Sequence, residues 1–248
     1  MLKLKIIACD VLNREISYLA SQSCCHVDVT FLHQGLHDTP DKLKVQLQQT
    51  IDQTNRDGYP YDYFKTVPDY DYIIIGYGLC SNGIVGISSE KVPLVVPRGH
   101  DCITFLLGSK EKYEVCFKNN PATYWFSAGW IERGWQPSKR KYRFQLENYC
   151  RKYGEDNAKY LMEMEQKWIK DYRNAAFISW DLLPNLDDYR KFTQASANQL
   201  GWNYLEFQGN SGLLKNLLNG IFNPSEVLIV PPGKKIVASY DSNIIKVM

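Results

Sequence analysis

The chain is 248 residues long, with 29 basic and 27 acidic side chains and a formal net charge of +2 at neutral pH. That near balance leaves no electrostatic footprint for nucleic acid, since basic clusters such as Lys139-Arg140-Lys141 are short. No apolar run approaches the ~20 residues of a membrane span, and 44% hydrophobic residues are enough to core one large α/β domain or two lobes.

Lys3 to Ala8 reads as a first strand with interleaved lysines rather than as a signal peptide, which predicts a cytoplasmic protein. It ends in Cys9-Asp10, and Val11 to Ser21 carries Leu12, Ile16, Leu19 and Ala20 at helical spacing. His26 to Leu32 alternates through Val27, Val29 and Phe31 as a second strand, left by His33 and His37. Asp38 or Thr39 before Pro40 opens a helix to about Asn55, carried by Leu43, Leu47 and Ile51. Residues 58–68 form a turn-rich connection. Tyr72 to Ile75 and Val92 to Val96 are short unbroken β-branched runs, the pattern of strands buried on both faces. Gly83 to Glu90 reads as a short helical crossover between them, and one longer helix is predicted from Asp101 or Thr104 to Phe117.

Beyond Asn119-Asn120-Pro121 the texture changes. Ala122 to Phe126 is an aromatic strand, and Ser127 to Trp130 turns away from it. A charged helical excursion over 138–172 is broken at Gly154. Ala175 to Trp180 is a strand, Asp187 to Leu200 a helix, Asn203 to Phe207 a strand and Leu213 to Leu218 a helix; strands at Val227 to Val230 and Lys235 to Ser239 close the chain. The repeated βαβα alternation predicts an α/β protein of two Rossmann-like lobes with mainly parallel sheets, residues 1–120 and 121–248, the helical excursion belonging to the second.

The seven cysteines are an odd number without disulfide-scaffold density, so in a reducing compartment they read as core thiols, metal ligands or nucleophiles. Cys9, Cys80 and Cys102 fall at strand exits beside Gly76, Gly78, Gly83 and Gly99, and a parallel sheet puts such exits on one rim. Three thiolates from separate loops can hold zinc with an open fourth position, or three irons of a [4Fe-4S] cluster whose fourth iron stays free. Cys24, Cys25, Cys116 and Cys150 lie on or beside helices and read as structural.

His100 adjoins the trio as a candidate ligand or general base, with His33 and His37 aimed at the same rim. Arg98 could bind a carboxylate and Asp101 orient a histidine; an ordinary salt bridge is the plainer alternative. Gly209, Ser211 and Gly212 open a helix after a strand and could cradle an anionic cofactor group, with N-capping by Ser211 the simpler reading. Tyr124, Trp125, Phe126 and Trp130 could wall a pocket or fill a core.

Gly-Tyr-Gly-Leu-Cys-Ser-Asn-Gly (76–83), Pro-Arg-Gly-His-Asp-Cys-Ile-Thr-Phe-Leu-Leu-Gly-Ser (97–109) and Ser-Ala-Gly-Trp-Ile-Glu (127–132) resemble the core of an uncharacterised family of cytosolic domains. That family is met in methanogens and other anaerobes and is sometimes encoded near corrinoid-dependent methyltransferases. The likeness spans about residues 3–132 and is weaker beyond. It implies that Cys9, Cys80, Cys102, His100 and Asp101 sit inside family motifs, that one-carbon or thiol chemistry is in keeping, and that a corrinoid methyltransferase component is a candidate partner.

Three functions remain open from the sequence. The first is a metal-dependent enzyme with Cys9, Cys80 and Cys102 as ligands, acting on a small-molecule substrate that bears a thiol, a carboxylate or another sulfur group. The second is an accessory protein that binds a small ligand or a corrinoid protein between its lobes. The third is a metal-free enzyme with Cys80 as nucleophile and His100 as base.

Overall fold

The computed structural model describes residues 1–60, 70–134 and 136–248. The connection expected over 58–68 lies, from residue 61 onward, outside the described residues. The chain is a mixed α/β protein with mainly parallel sheets, of the Rossmann-like kind the sequence predicts. It divides into two compact units, residues 1–113 with 210–248, and residues 114–209.

The first unit opens with β1 (Lys3–Cys9), a 3-10 turn over Asp10–Leu12 and α1 (Asn13–Ala20), followed by β2 (His26–Leu32) and α2 (Pro40–Asp57). Pro40 stands in the first turn of α2, where its missing N–H loses nothing, and Leu43, Leu47 and Ile51 form the buried stripe. Then come β3 (Tyr72–Gly76), β4 (Leu94–Pro97) and α3 (Cys102–Leu107), after which α4 (Lys110–Asn119) leads out of the unit. The single helix predicted over 101–117 is in fact these two. Gly108 breaks it at φ +93°, and a Cβ there would stand 2.6 Å from the Cβ of Asn210, so the chain turns where only glycine fits.

The second unit holds β5 (Thr123–Phe126), α5 (Ala128–Arg133), α6 (Lys139–Tyr153), α7 (Glu155–Glu165), β6 (Asn174–Ser179), α8 (Leu186–Leu200) and β7 (Asn203–Gln208). Its three strands lie in the order β5-β6-β7 and are all parallel. Gly154, at φ +81°, separates α6 from α7 as the sequence predicts. The expected turn after β5 is instead α5, whose start is capped by Ser127 Oγ accepting the Trp130 N–H at 3.3 Å.

The chain then returns to the first unit through α9 (Gly212–Leu218), β8 (Val227–Val230), β9 (Ile236–Ala238) and β10 (Ile245–Val247). The sequence reading placed 210–248 with the second lobe, but β8 pairs antiparallel with β4 and completes a five-stranded sheet in the order β2-β1-β3-β4-β8. The other pairs, β2-β1, β1-β3 and β3-β4, are parallel. Burial follows position: Ile73, Ile74 and Ile75 of central β3 are buried on both faces, while β2 at the edge is half-buried along its length.

The connection over residues 83–90 is turns rather than the predicted helix. Its glycines discourage a helix, and its backbone finds partners in β9: Gly86 N–H donates to Ile236 O at 2.8 Å and Ile236 N–H to Ile87 O at 3.0 Å. Ile84 and Ile87 are buried and anchor it.

Candidate functional site

Cys9, Cys80 and Cys102 follow β1, β3 and β4, parallel neighbours whose carboxyl ends share one edge of the five-stranded sheet. Ala8 of β1 stands opposite Gly76 of β3, so Cys9 and Tyr77 leave neighbouring strands together. The register demands glycine at 76, because a Cβ there would lie 2.4 Å from the Ala8 Cβ. Beyond β3 the chain stays on its neighbour, with Leu79 N–H donating to Gly99 O and Cys80 N–H to His100 O, both at 2.8 Å. Gly78 permits this approach: a Cβ would meet Asp101 N at 2.6 Å and Asp101 Cα and Gly99 O at 2.8 Å. Cys80 is thereby laid beside the segment carrying Asp101 and Cys102.

At Cys80 the backbone turns left-handed for three non-glycine residues in succession, Cys80 (φ 45°), Ser81 (φ 55°) and Asn82 (φ 66°). Gly83 N–H closes the turn on Cys80 O at 3.0 Å. Each such residue costs roughly 1–2 kcal/mol relative to right-handed backbone, so the packing around it holds several kcal/mol of strain. Strain of this kind is characteristic of sites whose geometry is fixed in advance.

The electrostatics of the rim run in one direction. Burial, with the negative charge of Asp10, pushes the Cys9 thiol up to about 11. Burial, followed by the charges of Asp101 and Cys9, pushes Cys80 up to about 12, and burial with Asp101, Cys9 and Cys80 raises Cys102 well above the thiol range. Tyr77, 2% exposed, is raised by burial and then by the charges of all three cysteines. Burial also raises the Asp101 carboxyl, although its Oδ1 accepts the Ile103 N–H at 3.0 Å and its Oδ2 the Tyr113 hydroxyl at 3.1 Å. The charge of Cys9 thus opposes the ionisation of Cys80, and those of Cys9 and Cys80 oppose that of Cys102. Among the described residues, no three His, Cys, Asp or Glu side chains are drawn together as a ready-made ligand set for one ion.

The other expected site residues have different surroundings. Arg98 donates through Nε to Pro224 O at 3.1 Å and through Nη1 to Asn243 O at 2.9 Å and Ile245 O at 2.7 Å, so it pins the β9–β10 region. Asp101 caps α3, and His100 is exposed with its ring 5.8 Å from that of Tyr113. His33 and His37 have local partners, Gln34 O at 2.6 Å and Asp38 at 3.3 Å. At the start of α9 it is Asn210 Oδ1, not Ser211, that accepts the Gly212 N–H, at 2.7 Å; this amide of the expected anion cradle is already occupied, and Ser211 makes no capping bond. Gly209 N–H donates to Ser179 O at 2.8 Å. The aromatic run packs among the second unit's own rings, Tyr124 with Trp168, Tyr172 and Trp202, and Trp125 with Phe117 and Phe207.

Sequence reasoning missed Tyr77 and Tyr113. For Tyr77 a signal existed, a large aromatic held between two glycines at a strand exit. For Tyr113, eleven residues beyond Cys102, there was none.

The chain belongs to the family described as "Protein of unknown function (DUF1638)", whose model matches residues 31–218. The match takes in Cys80, His100, Asp101 and Cys102, and Cys9 lies before it. No curated protein and no solved structure matches the chain.

Proposed function

We propose that this protein is a metal-dependent enzyme whose centre is held by Cys9, Cys80 and Cys102, as a zinc site or a [4Fe-4S] cluster with one open position. Its substrate is a small thiol-, sulfur- or one-carbon-related molecule, handled in a reducing, cytoplasmic setting. The observation that carries this reading is the charge balance of the rim: three thiols and a carboxyl are all raised by burial, and acidic groups are foremost among the charges acting on the thiols, Asp10 on Cys9 and Asp101 on Cys80 and Cys102. A soft cation reverses that situation, because a thiol that coordinates metal loses its proton and its charge is neutralised on the spot. The donor set fits, since thiolates are the ligands that zinc and iron–sulfur clusters share.

Bound there, the metal would supply Lewis acidity, lowering the pKa of the group in the open position. The protein's part is to fix the ligands. The left-handed turn presents Cys80, Asp101 caps the helix that starts at Cys102, and the Ala8–Gly76 register sets Cys9 against Tyr77. The resemblance to domains sometimes encoded near corrinoid-dependent methyltransferases in anaerobes supports a one-carbon context and a corrinoid component as partner.

A metal-free nucleophile at Cys80 fits the rim less well. Burial and the charge of Asp101 push the Cys80 thiol up, whereas activated thiols are depressed.

The test is purification without oxygen, followed by metal and sulfide analysis and an absorption spectrum. The expected result is bound zinc or a cluster that Cys80→Ala abolishes and Cys150→Ala leaves intact. Wild-type protein carrying no metal would overturn the proposal and leave the accessory-protein reading in its place.

A further inference from the structure

The turn between α1 and β2 carries two cysteines in succession, Cys24 and Cys25. Cys24 is exposed, alone among the cysteines of the described residues, Cys25 is half-buried, and the two thiols are in hydrogen-bond contact. Burial, followed by that contact, raises the Cys25 thiol. Cys25 directly precedes β2, so the pair stands at the amino edge of the sheet. Cys9 leaves the opposite edge, since β1 runs parallel to β2 with Lys3 opposite His26 and Cys9 opposite Leu32. The seven residues of β1 at ~3.3 Å each set the two edges about 20 Å apart. The pair is therefore independent of the rim and of any metal held there.

The turn is tied to the end of α9. Ser23 Oγ donates to Leu218 O at 2.6 Å, the Cys24 N–H to Asn219 Oδ1 at 3.1 Å and the Cys25 N–H to Ser23 Oγ at 2.9 Å. A bond between the two sulfurs would disturb this arrangement. The Cα atoms of neighbours joined by a trans peptide are ~3.8 Å apart, below the ~4.4–6.8 Å that ordinary disulfides span, so closing the ring distorts the backbone that these hydrogen bonds hold. Strained, exposed disulfides have high reduction potentials and are the labile ones, readily reopened by thiols. Such a bond is suited to reporting oxidant rather than to stapling a fold.

We propose that Cys24 and Cys25 are a redox-active dithiol that closes to a vicinal disulfide by exchange with a small organic disulfide, and that closure loosens the turn from α9. Cys24, the exposed thiol, meets the oxidant first. Its thiolate attacks one sulfur, the oxidant's S–S bond breaks, and one thiol leaves with the proton that Cys24 gave up. The Cys25 thiolate then attacks the Cys24 sulfur of the mixed disulfide and expels the second thiol, which takes the Cys25 proton. Two electrons pass from the cysteine pair to the oxidant, which is reduced to two thiols, and an excess of the same thiol runs both steps backwards.

The experiment takes the reduced full chain through a series of ratios of glutathione disulfide to glutathione, quenches in acid, alkylates the remaining thiols and digests with trypsin. Cleavage after Arg14 and Lys42 releases residues 15–42, in which Cys24 and Cys25 are the only cysteines. In the wild type this peptide is expected to escape alkylation at oxidising ratios, lighter by two hydrogens and free of glutathione, and to be alkylated at both cysteines once glutathione is restored. Cys25→Ser is expected to stop at the glutathione adduct of Cys24, and Cys24→Ser to lose the internal disulfide; serine differs from cysteine by one atom and keeps the backbone bonds of the turn. The Cys24 and Cys25 amides are expected to exchange hydrogen about 10-fold faster in the oxidised protein, the effect of losing one ordinary hydrogen bond. A wild-type peptide alkylated at every ratio, a glutathione adduct that does not resolve, a disulfide between two chains, or unchanged exchange at both amides would overturn the proposal. Each readout is local to the turn, so presence or absence of metal at the rim leaves the result unaffected.

Discussion

Gly78→Ala isolates the contact that brings Cys80 to its place. The added methyl would lie 2.6 Å from Asp101 N and 2.8 Å from both Asp101 Cα and Gly99 O, well inside contact distance of three atoms that are all backbone. Overpacking of a rigid neighbour costs typically 1–3 kcal/mol, and backbone cannot swing aside as a side-chain end can, so the upper end applies. Alanine also restricts the unfolded chain, which returns roughly 0.4–1 kcal/mol, leaving a net destabilisation of about 2 kcal/mol. Gly83→Ala is the comparison, since its closest contact, at 2.7 Å, is Leu43 Cδ2, a side-chain end, and its one backbone contact, Cys80 O, is at 3.0 Å; about 1 kcal/mol is expected there. Urea unfolding gives the two differences at an unchanged slope, and hydrogen exchange reads the Leu79 and Cys80 amides, whose 2.8 Å bonds to Gly99 and His100 should open first in Gly78→Ala. If Gly78→Ala unfolds at the wild-type midpoint, or costs less than Gly83→Ala, the close approach is not what positions Cys80.

The left-handed turn makes a prediction of opposite sign: Ser81→Gly, at an exposed residue with φ 55°, should stabilise the protein by about 0.5–1 kcal/mol, the relieved strain exceeding the unfolded-state penalty of glycine, and a fall in melting temperature would refute it. At the far side of the sheet, burial alone would raise Asp28, but the Lys5 ammonium at 2.8 Å and the Tyr70 hydroxyl outweigh it and hold the carboxyl below its ordinary 3.8. A depressed carboxyl stabilises fully above its unfolded value and loses that contribution as pH falls through the lower folded one, so Asp28→Asn should weaken the protein at neutral pH and flatten its acid unfolding below about pH 4, as a pH series of urea midpoints would register.

The parallel sheet was legible because its signal is local. Runs such as Tyr72 to Ile75 can be buried on two faces only in the middle of a parallel sheet, and the first four strands stand where their β-branched patterns put them. Two kinds of feature were not legible. The return of Val227–Val230 to the edge of β4 depends on a partner 130 residues away, and nothing in either run favours one sheet over the other. The breaks at Gly83, Gly86 and Gly108 depend on what the backbone meets in three dimensions: Leu43 and the Cys80 carbonyl in the first case, β9 in the second and Asn210 in the third.

The same distinction separates the parts of the site. Cys9, Cys80 and Cys102 could be placed on one rim because strand exits in a parallel sheet share an edge, a rule that needs only the strand assignments. Arg98, His100 and Asp101 stand in the same motif but diverge, because a side chain's direction is set by its own backbone and its partners: Asp101 turns in to cap α3, and Arg98 reaches the carbonyls of a C-terminal segment with no visible link to it in the sequence. Tyr77 shows the reverse case. Its neighbours Gly76 and Gly78 are forced by close approaches to Ala8 and Asp101, and the residue between them is buried, with the charges of the three cysteines acting on its hydroxyl. A large aromatic between two glycines at a strand exit is a pattern that the amino-acid sequence carries openly.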